Sequence, residues 1–117
     1  MLGGKFSAKV IGTVLLVAFL ASCSGSQRAD RTESLEGYTP EQIFERGEFD
    51  LARERTDDAA WYFSEIERLY PYSSWAKRAL IMQAFSYHQG KDYPNSRAAA
   101  QRYIDFYPAD EDAAYAQ

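Results

Sequence analysis

Apolar residues recur every three or four positions from residue 40 onward, and this spacing predicts four amphipathic helices. The predicted helices span residues 40–53, 57–69, 74–89 and 93–107. No stretch of the chain alternates apolar and polar residues as a half-buried strand does. The positions that carry the helical spacing are, in chain order, Ile43, Gly47, Leu51, Ala59, Phe63, Ile66, Tyr70, Leu80, Ala84, Tyr87, Ala99, Tyr103 and Phe106.

Polar residues that favour helix starts stand where the predicted helices begin. The segment TPEQ at 39–42 has the form of a capping box with Pro at the first helical position. Further starts are predicted at Thr56, at Ser73 or Ser74, and at Asp92, which is followed closely by a proline. Each predicted helix therefore has a local signal for its beginning as well as an apolar face.

The chain contains two copies of one helical unit. The segment ERLYPYS at 67–73 is echoed by IDFYPAD at 104–110, a period of 37 residues. Carried backwards, this period pairs Gly47 with Ala84, small residues that allow neighbouring helices to approach closely. Such a period is typical of helical solenoids, and the residues resemble the tetratricopeptide repeat (TPR). We expect an all-α, TPR-like solenoid with units at 39–72 and 73–109 and the start of a third from 110.

The N-terminal segment has the layout of a secretory signal. Lys5 and Lys9 precede an apolar run at 10–20, which is too short to span a bilayer. The stretch LASC at 20–23 resembles the lipobox of bacterial lipoproteins, so Cys23 is the predicted site of lipid attachment after removal of residues 1–22. Ser24 follows the cysteine, which favours the outer membrane over inner-membrane retention. The alternative is an ordinary signal peptide with an incidental cysteine.

The residues between the signal and the helices are polar. The segment SGSQRADRTESLEG at 24–37 contains almost nothing to bury, and we expect residues 23–38 to form a lipidated, flexible tether. The chain carries a formal net charge of −4 and no basic stripe, which argues against a nucleic-acid partner. The lipid anchor, not charge, is therefore the expected link to the membrane.

Few residues suit catalysis or metal binding. Cys23 is the only cysteine and His88 the only histidine, so neither can build a metal site with a second residue of its kind. The acidic run at 110–112 lacks the glycine and terminal glutamate of a calcium loop. We expect no enzyme activity, no cofactor and no metal.

The lipobox, the polar tether and the two TPR-like units joined by Tyr-Pro together resemble the BamD family of lipoproteins. The resemblance covers the whole chain, which corresponds to about the first half of a typical family member. Residues 69–117 match the family without an obvious gap, and DAAY at 112–115 is similar to the start of a third repeat. It implies a lipid-anchored, periplasm-facing outer-membrane subunit of the machinery that assembles β-barrels. The implied partners are the barrel-forming subunit, other lipoproteins of the machinery, and the C-terminal strands of unfolded outer-membrane proteins. The chain corresponds only to the family's N-terminal repeats, so contacts made by later repeats do not carry over.

The first helix of each TPR-like unit is expected to line a concave binding surface, called here the predicted groove. An apolar, aromatic groove suits an extended chain that ends in an aromatic residue. For each residue the alternative is ordinary packing between repeats, and for the whole protein it is a different TPR lipoprotein that serves as an envelope scaffold or adaptor. The predicted groove consists of Phe44, Glu48, Leu51, Tyr70, Ile81, Phe85 and His88.

Overall fold

The computed structural model describes residues 31–117, which fold into five helices. No β-strand occurs within these residues, so the all-α, TPR-like prediction is confirmed. The bounds of the first four helices lie within two residues of those predicted from the apolar spacing. The helices are α1 (Pro40–Leu51), α2 (Thr56–Leu69), α3 (Ser74–Gln89), α4 (Tyr93–Phe106) and the short α5 (Ala113–Ala116).

Local capping explains most of the helix starts. The Thr39 hydroxyl accepts a hydrogen bond from the Gln42 amide at 3.2 Å, and the Gln42 side chain accepts one from the Thr39 amide at 2.9 Å. This is the predicted capping box. Ser73 caps α3 by accepting from the Ala76 amide at 3.1 Å, and Asp92 caps α4. The first four helices pack as consecutive antiparallel neighbours, and α1 also contacts α3, as expected for stacked helical pairs.

The core of the first pair, α1 and α2, is built around Phe63. Its ring is fully buried with Ile43 and Ile66, and it lies directly against Gly47. A Cβ atom at position 47 would lie 2.7 Å from two carbons of the Phe63 ring. The glycine therefore allows the close helix approach predicted from the repeat, because any larger residue would displace the ring.

Residues 31–38, called here the N-terminal strap, pack along the first pair. Leu35 is only 1% exposed and belongs to the first core, and the Tyr70 hydroxyl donates a hydrogen bond to the Tyr38 carbonyl. The prediction of a flexible tether through residue 38 is therefore wrong for this part of the segment. Leu35, the Tyr38 carbonyl and the Arg31–Asp58 ion pair all tie the strap to the helices. The polar composition of the segment did not indicate these contacts. Cys23, the signal at 1–22 and residues 24–30 lie outside the described residues.

The second pair, α3 and α4, has a smaller core. Leu80, Ala99 and Tyr103 are buried there with Ala113 of α5. The Tyr103 hydroxyl donates to Asp110 at 2.9 Å, and Lys77 forms an ion pair with the same carboxylate. These contacts hold the turn before α5 against the second pair.

A polar bridge joins the two pairs. Arg102 of α4 donates to the side-chain oxygen of Gln83 on α3 at 2.5 Å and pairs with Glu67 of α2 at 3.3 Å. Gln83 is buried, so the Arg102 guanidinium reaches a buried acceptor. The bridge links the second pair to the first, because one side chain of α4 contacts both α2 and α3.

Candidate functional site: a cleft on the second helical pair

A cleft of about 980 Å³ opens between α3, α4 and the C-terminal residues. Its wall on α3 includes Ile81 and Phe85, and its wall on α4 includes Ala100 and Ile104. Tyr115 of α5 lies at its C-terminal side and is largely exposed. We call this surface the α3–α4 cleft.

Small residues create the space in the α3–α4 cleft. Ala84 and Ser96 face one another between the helices, and the Ser96 hydroxyl donates to the Ala84 carbonyl at 2.8 Å. Ala100 follows one turn later on α4. Because these side chains are short, the two helices stay close at this point while the larger apolar residues beside them remain accessible.

Phe85 is the most accessible apolar side chain that α3 contributes to the cleft. It is 44% exposed, although the core residue Leu80 lies only five positions before it on the same helix. His88 lies three residues farther on and meets the Tyr93 ring edge-on, with ring centroids 5.4 Å apart. An aromatic ring and an imidazole are therefore presented side by side at one end of the cleft.

The cleft has a basic rim. His88 and Arg97 are lining residues, and no aspartate or glutamate side chain lines the cleft within the described part of the chain. The apolar walls can accept apolar side chains, while the two basic groups can donate hydrogen bonds to a carboxylate or a backbone carbonyl. This arrangement suits noncovalent binding of a peptide-like ligand.

The structure divides the predicted groove. Ile81, Phe85 and His88 come together in the α3–α4 cleft, but Phe44 does not join them. Phe44 is 4% exposed and packs between two aromatic rings, with centroid distances of 5.1 Å to both Phe63 and Trp75. The prediction of Phe44 as a groove residue is corrected accordingly, since α3 covers it.

The other three predicted groove residues also lie elsewhere. Leu51 packs against the core of the first pair, and the Tyr70 hydroxyl is bonded to the strap at the Tyr38 carbonyl. Glu48 is exposed on α1 but is not among the residues that line the cleft. Three of the seven predicted groove residues therefore line the α3–α4 cleft, and the other four lie outside it.

Sequence reasoning missed the contribution of α4. Tyr93, Arg97, Ala100 and Ile104 all line the cleft. Their spacing of four, three and four residues places them on one helical face, so the signal was present in the sequence. It was missed because the lining was expected from the first helix of each unit and from Tyr70 at the repeat junction.

The described residues offer little for metal or membrane insertion. Within residues 31–117, no group of three or more histidine, cysteine or carboxylate side chains is arranged to hold a metal ion. None of the helices in this range combines the length and apolar content needed to cross a bilayer. Asp110, part of the acidic run considered for calcium, is engaged by Lys77 and Tyr103.

Stacked helical pairs with an exposed cleft place the chain among the TPR-like helical-repeat proteins. The family model YfiO, described as outer membrane lipoprotein, matches residues 36–117. A curated relative, the outer membrane protein assembly factor BamD of Caulobacter vibrioides (strain ATCC 19089 / CIP 103742 / CB 15), is 33% identical over 109 residues. The match covers 93% of this chain and 35% of the relative, so the chain spans about a third of that protein's length. The chain belongs to this family of outer membrane lipoproteins, the BamD family.

Proposed function

We propose that this protein is a non-catalytic, lipid-anchored subunit of a β-barrel assembly machinery in a Gram-negative outer membrane. Membership of the BamD family supports the assembly role, and the LASC stretch supports acylation of Cys23. The anchor holds the helical pairs on the periplasmic side. The partners in this proposal are the barrel-forming subunit and other lipoproteins of the machinery.

The substrates in this proposal are unfolded outer-membrane proteins, bound through their C-terminal strands in the α3–α4 cleft. The observation that carries the proposal is the exposed Phe85 ring in an apolar cleft with His88 and Arg97 at its rim. An extended strand alternates its side chains, so one apolar set can enter the cleft while the other faces water. A terminal carboxylate can then meet the basic rim.

Peptide binding tests the recognition step. The full lipoprotein in detergent is titrated with a fluorescent peptide that copies the last strand of an outer-membrane barrel and ends in a free phenylalanine. Binding is expected in the micromolar range or weaker, because ordering a flexible peptide offsets much of the contact energy. A scrambled peptide and an amidated peptide should bind less well. If the protein does not distinguish the peptide from its scrambled form, the receptor role is rejected and the adaptor role replaces it.

Substitution of Phe85 locates the site. Phe85→Ala should weaken binding by about 1 kcal/mol, roughly fivefold, because it removes the exposed ring from the cleft. Tyr72→Ala is the matched control, since Tyr72 is also an exposed aromatic residue but does not line the cleft. Circular dichroism should show both variants folded. Unchanged binding by folded Phe85→Ala would place the peptide elsewhere.

Lipid attachment has its own test. Intact-mass measurement of the membrane fraction should show loss of residues 1–22 and added acyl mass on Cys23. Cys23→Ala should abolish both the lipid and the normal processing, while the helical domain keeps its circular-dichroism spectrum. A mature, unmodified chain that begins at another residue would reject the anchor.

A further inference from the structure

The N-terminal strap determines where the chain enters the helical domain. Arg31 pairs with Asp58 in the first turn of α2 at 3.4 Å, whereas Tyr38 receives the hydroxyl of Tyr70, the residue that follows α2. The strap therefore contacts both ends of α2, which is roughly 21 Å long. Arg31 lies at the end of the domain where α1 ends and α2 begins.

The turn between α3 and α4 lies at this same end. A Cβ atom at Gly90 would lie only 2.5 Å from the Thr56 hydroxyl, so the turn packs directly on the start of α2. We call the turns at 52–55 and 90–92, with the adjoining helix ends, the proximal edge. The opposite side, with the turns at 70–73 and 107–112, is the distal edge.

The proximal edge presents an aromatic ring together with basic groups. Phe49 is 53% exposed in the last turn of α1, and the Arg53 guanidinium carbon lies 3.5 Å from the centre of its ring. Arg53 and Lys91 are both exposed. Aromatic rings favour the headgroup level of a bilayer, and long basic side chains can keep their charge at the phosphates while their stems cover apolar surface.

The distance along the chain from Cys23 to the proximal edge is short. Arg31 lies eight positions after Cys23, and a fully extended chain of that length spans at most about 29 Å. A lipid on Cys23 therefore keeps Arg31 and the proximal edge beside it within that distance of the membrane. The path from the anchor to the distal edge is longer, because it adds the length of α2.

We propose that the proximal edge faces and contacts the phospholipid surface, with Phe49 at headgroup level and Arg53 and Lys91 at the phosphates. This orientation rests on the proposed acylation of Cys23. Glu54 and Asp57 are also exposed at this edge, so the contact depends on the aromatic ring more than on net charge. Added salt should therefore change it only slightly.

The two ends of α3 provide matched reporter positions. Ser74 is its first residue at the distal edge, Gln89 is its last at the proximal edge, and both are exposed. Gln89→Cys and Ser74→Cys are made separately in the full lipoprotein, where acylated Cys23 does not react with a maleimide dye. Each labelled protein is then reconstituted in phosphatidylethanolamine and phosphatidylcholine vesicles that contain lipids with a nitroxide on the headgroup.

The dye at position 89 should be quenched severalfold more than the dye at position 74. Phe49→Ala should reduce the quenching at position 89. Phe106→Ala, which removes an exposed ring at the end of α4 on the distal edge, should not. Equal quenching at the two positions, or stronger quenching at 74, would overturn the proposed orientation.

Mass measurement on the same samples separates this inference from the proposed function. If Cys23 carries acyl chains and the two dyes are quenched equally, the orientation alone fails. If Cys23 carries none, the anchor fails and the orientation fails with it. Peptide binding by the cleft is measured independently of both results.

Discussion

The two helical pairs share one repeat unit but differ in what covers them. In the first pair, Leu35 of the strap packs into the core and Trp75 of α3 covers Phe44. In the second pair, Ile81 occupies the position equivalent to Phe44, and it lies in an open cleft beside the four-residue helix α5. An apolar position in a solenoid is therefore covered or left in an open cleft according to its neighbour, and the residue type alone does not decide which.

The largest expected difference between the pairs concerns their cores. Phe63→Ala should lower the free energy of unfolding by about 3–5 kcal/mol, because a fully buried ring is removed and leaves a cavity. Phe106→Ala is the matched control in the second pair, where the ring is 62% exposed and the cost should stay within about 0.5 kcal/mol. Urea denaturation measures both. Similar losses in the two variants would contradict the assignment of Phe63 to the core and of Phe106 to the surface.

The strap should contribute the next largest effect. Leu35→Ala should cost about 2–5 kcal/mol, toward the lower end, because the strap lies at the edge of the first core. Ser34→Ala, an exposed change next to it in the chain, should cost almost nothing. Unfolding curves of the two variants that coincide with each other would show that Leu35 does not secure the strap.

The helices were predictable because their signals are local. The capping box at Thr39 and the serine cap at Ser73 each act over three residues of chain, and the structure contains both. The start of α2 differs by one residue. The prediction put Thr56 before the helix, but α2 begins at Thr56 after a turn in which Glu54 adopts a positive φ of 59°.

The position of the strap and the burial of Phe44 were not predictable from such signals. Leu35 is a large apolar residue in a polar segment. Its burial depends on the core of the first pair, whose members, such as Phe63 and Ile66, lie far along the chain. The repeat placed Ile81, Phe85 and His88 on one face correctly, but it could not show that Trp75 covers Phe44. These outcomes depend on how closely the helices stack, which is a tertiary property.

A smaller effect is expected from the hydrogen bond that holds the turn before α5. Tyr103→Phe keeps the buried ring but removes the donor to Asp110, and it should cost about 1 kcal/mol. Burial also raises the pKa of Tyr103 above its usual value of 10.0. The folded chain therefore holds this proton more tightly than the unfolded chain. The contribution of Tyr103 to the free energy of unfolding should be complete below pH 10 and should decline above it.

Urea denaturation between pH 8 and pH 11 checks this prediction. The loss of stability above pH 10 should be smaller in Tyr103→Phe than in the wild type, because one buried hydroxyl no longer titrates. Burial raises the pKa of Tyr62 and Tyr87 as well, so part of the decline should remain in the variant. Identical pH profiles would show that Tyr103 does not contribute to the alkaline loss.

Hydrogen exchange with and without the barrel-strand peptide tests most directly whether the first pair is closed and the second is a binding surface. In the free lipoprotein, α1 and α2 should exchange more slowly than α4, because their core is covered on both sides. Saturating peptide should slow exchange in residues 81–88 and 97–104 and leave α1 and α2 unchanged. Uniform protection of all four helices in the free protein would contradict a closed first pair beside an open second pair. Slower exchange confined to α1 and α2 when peptide is added would contradict peptide binding by the second pair.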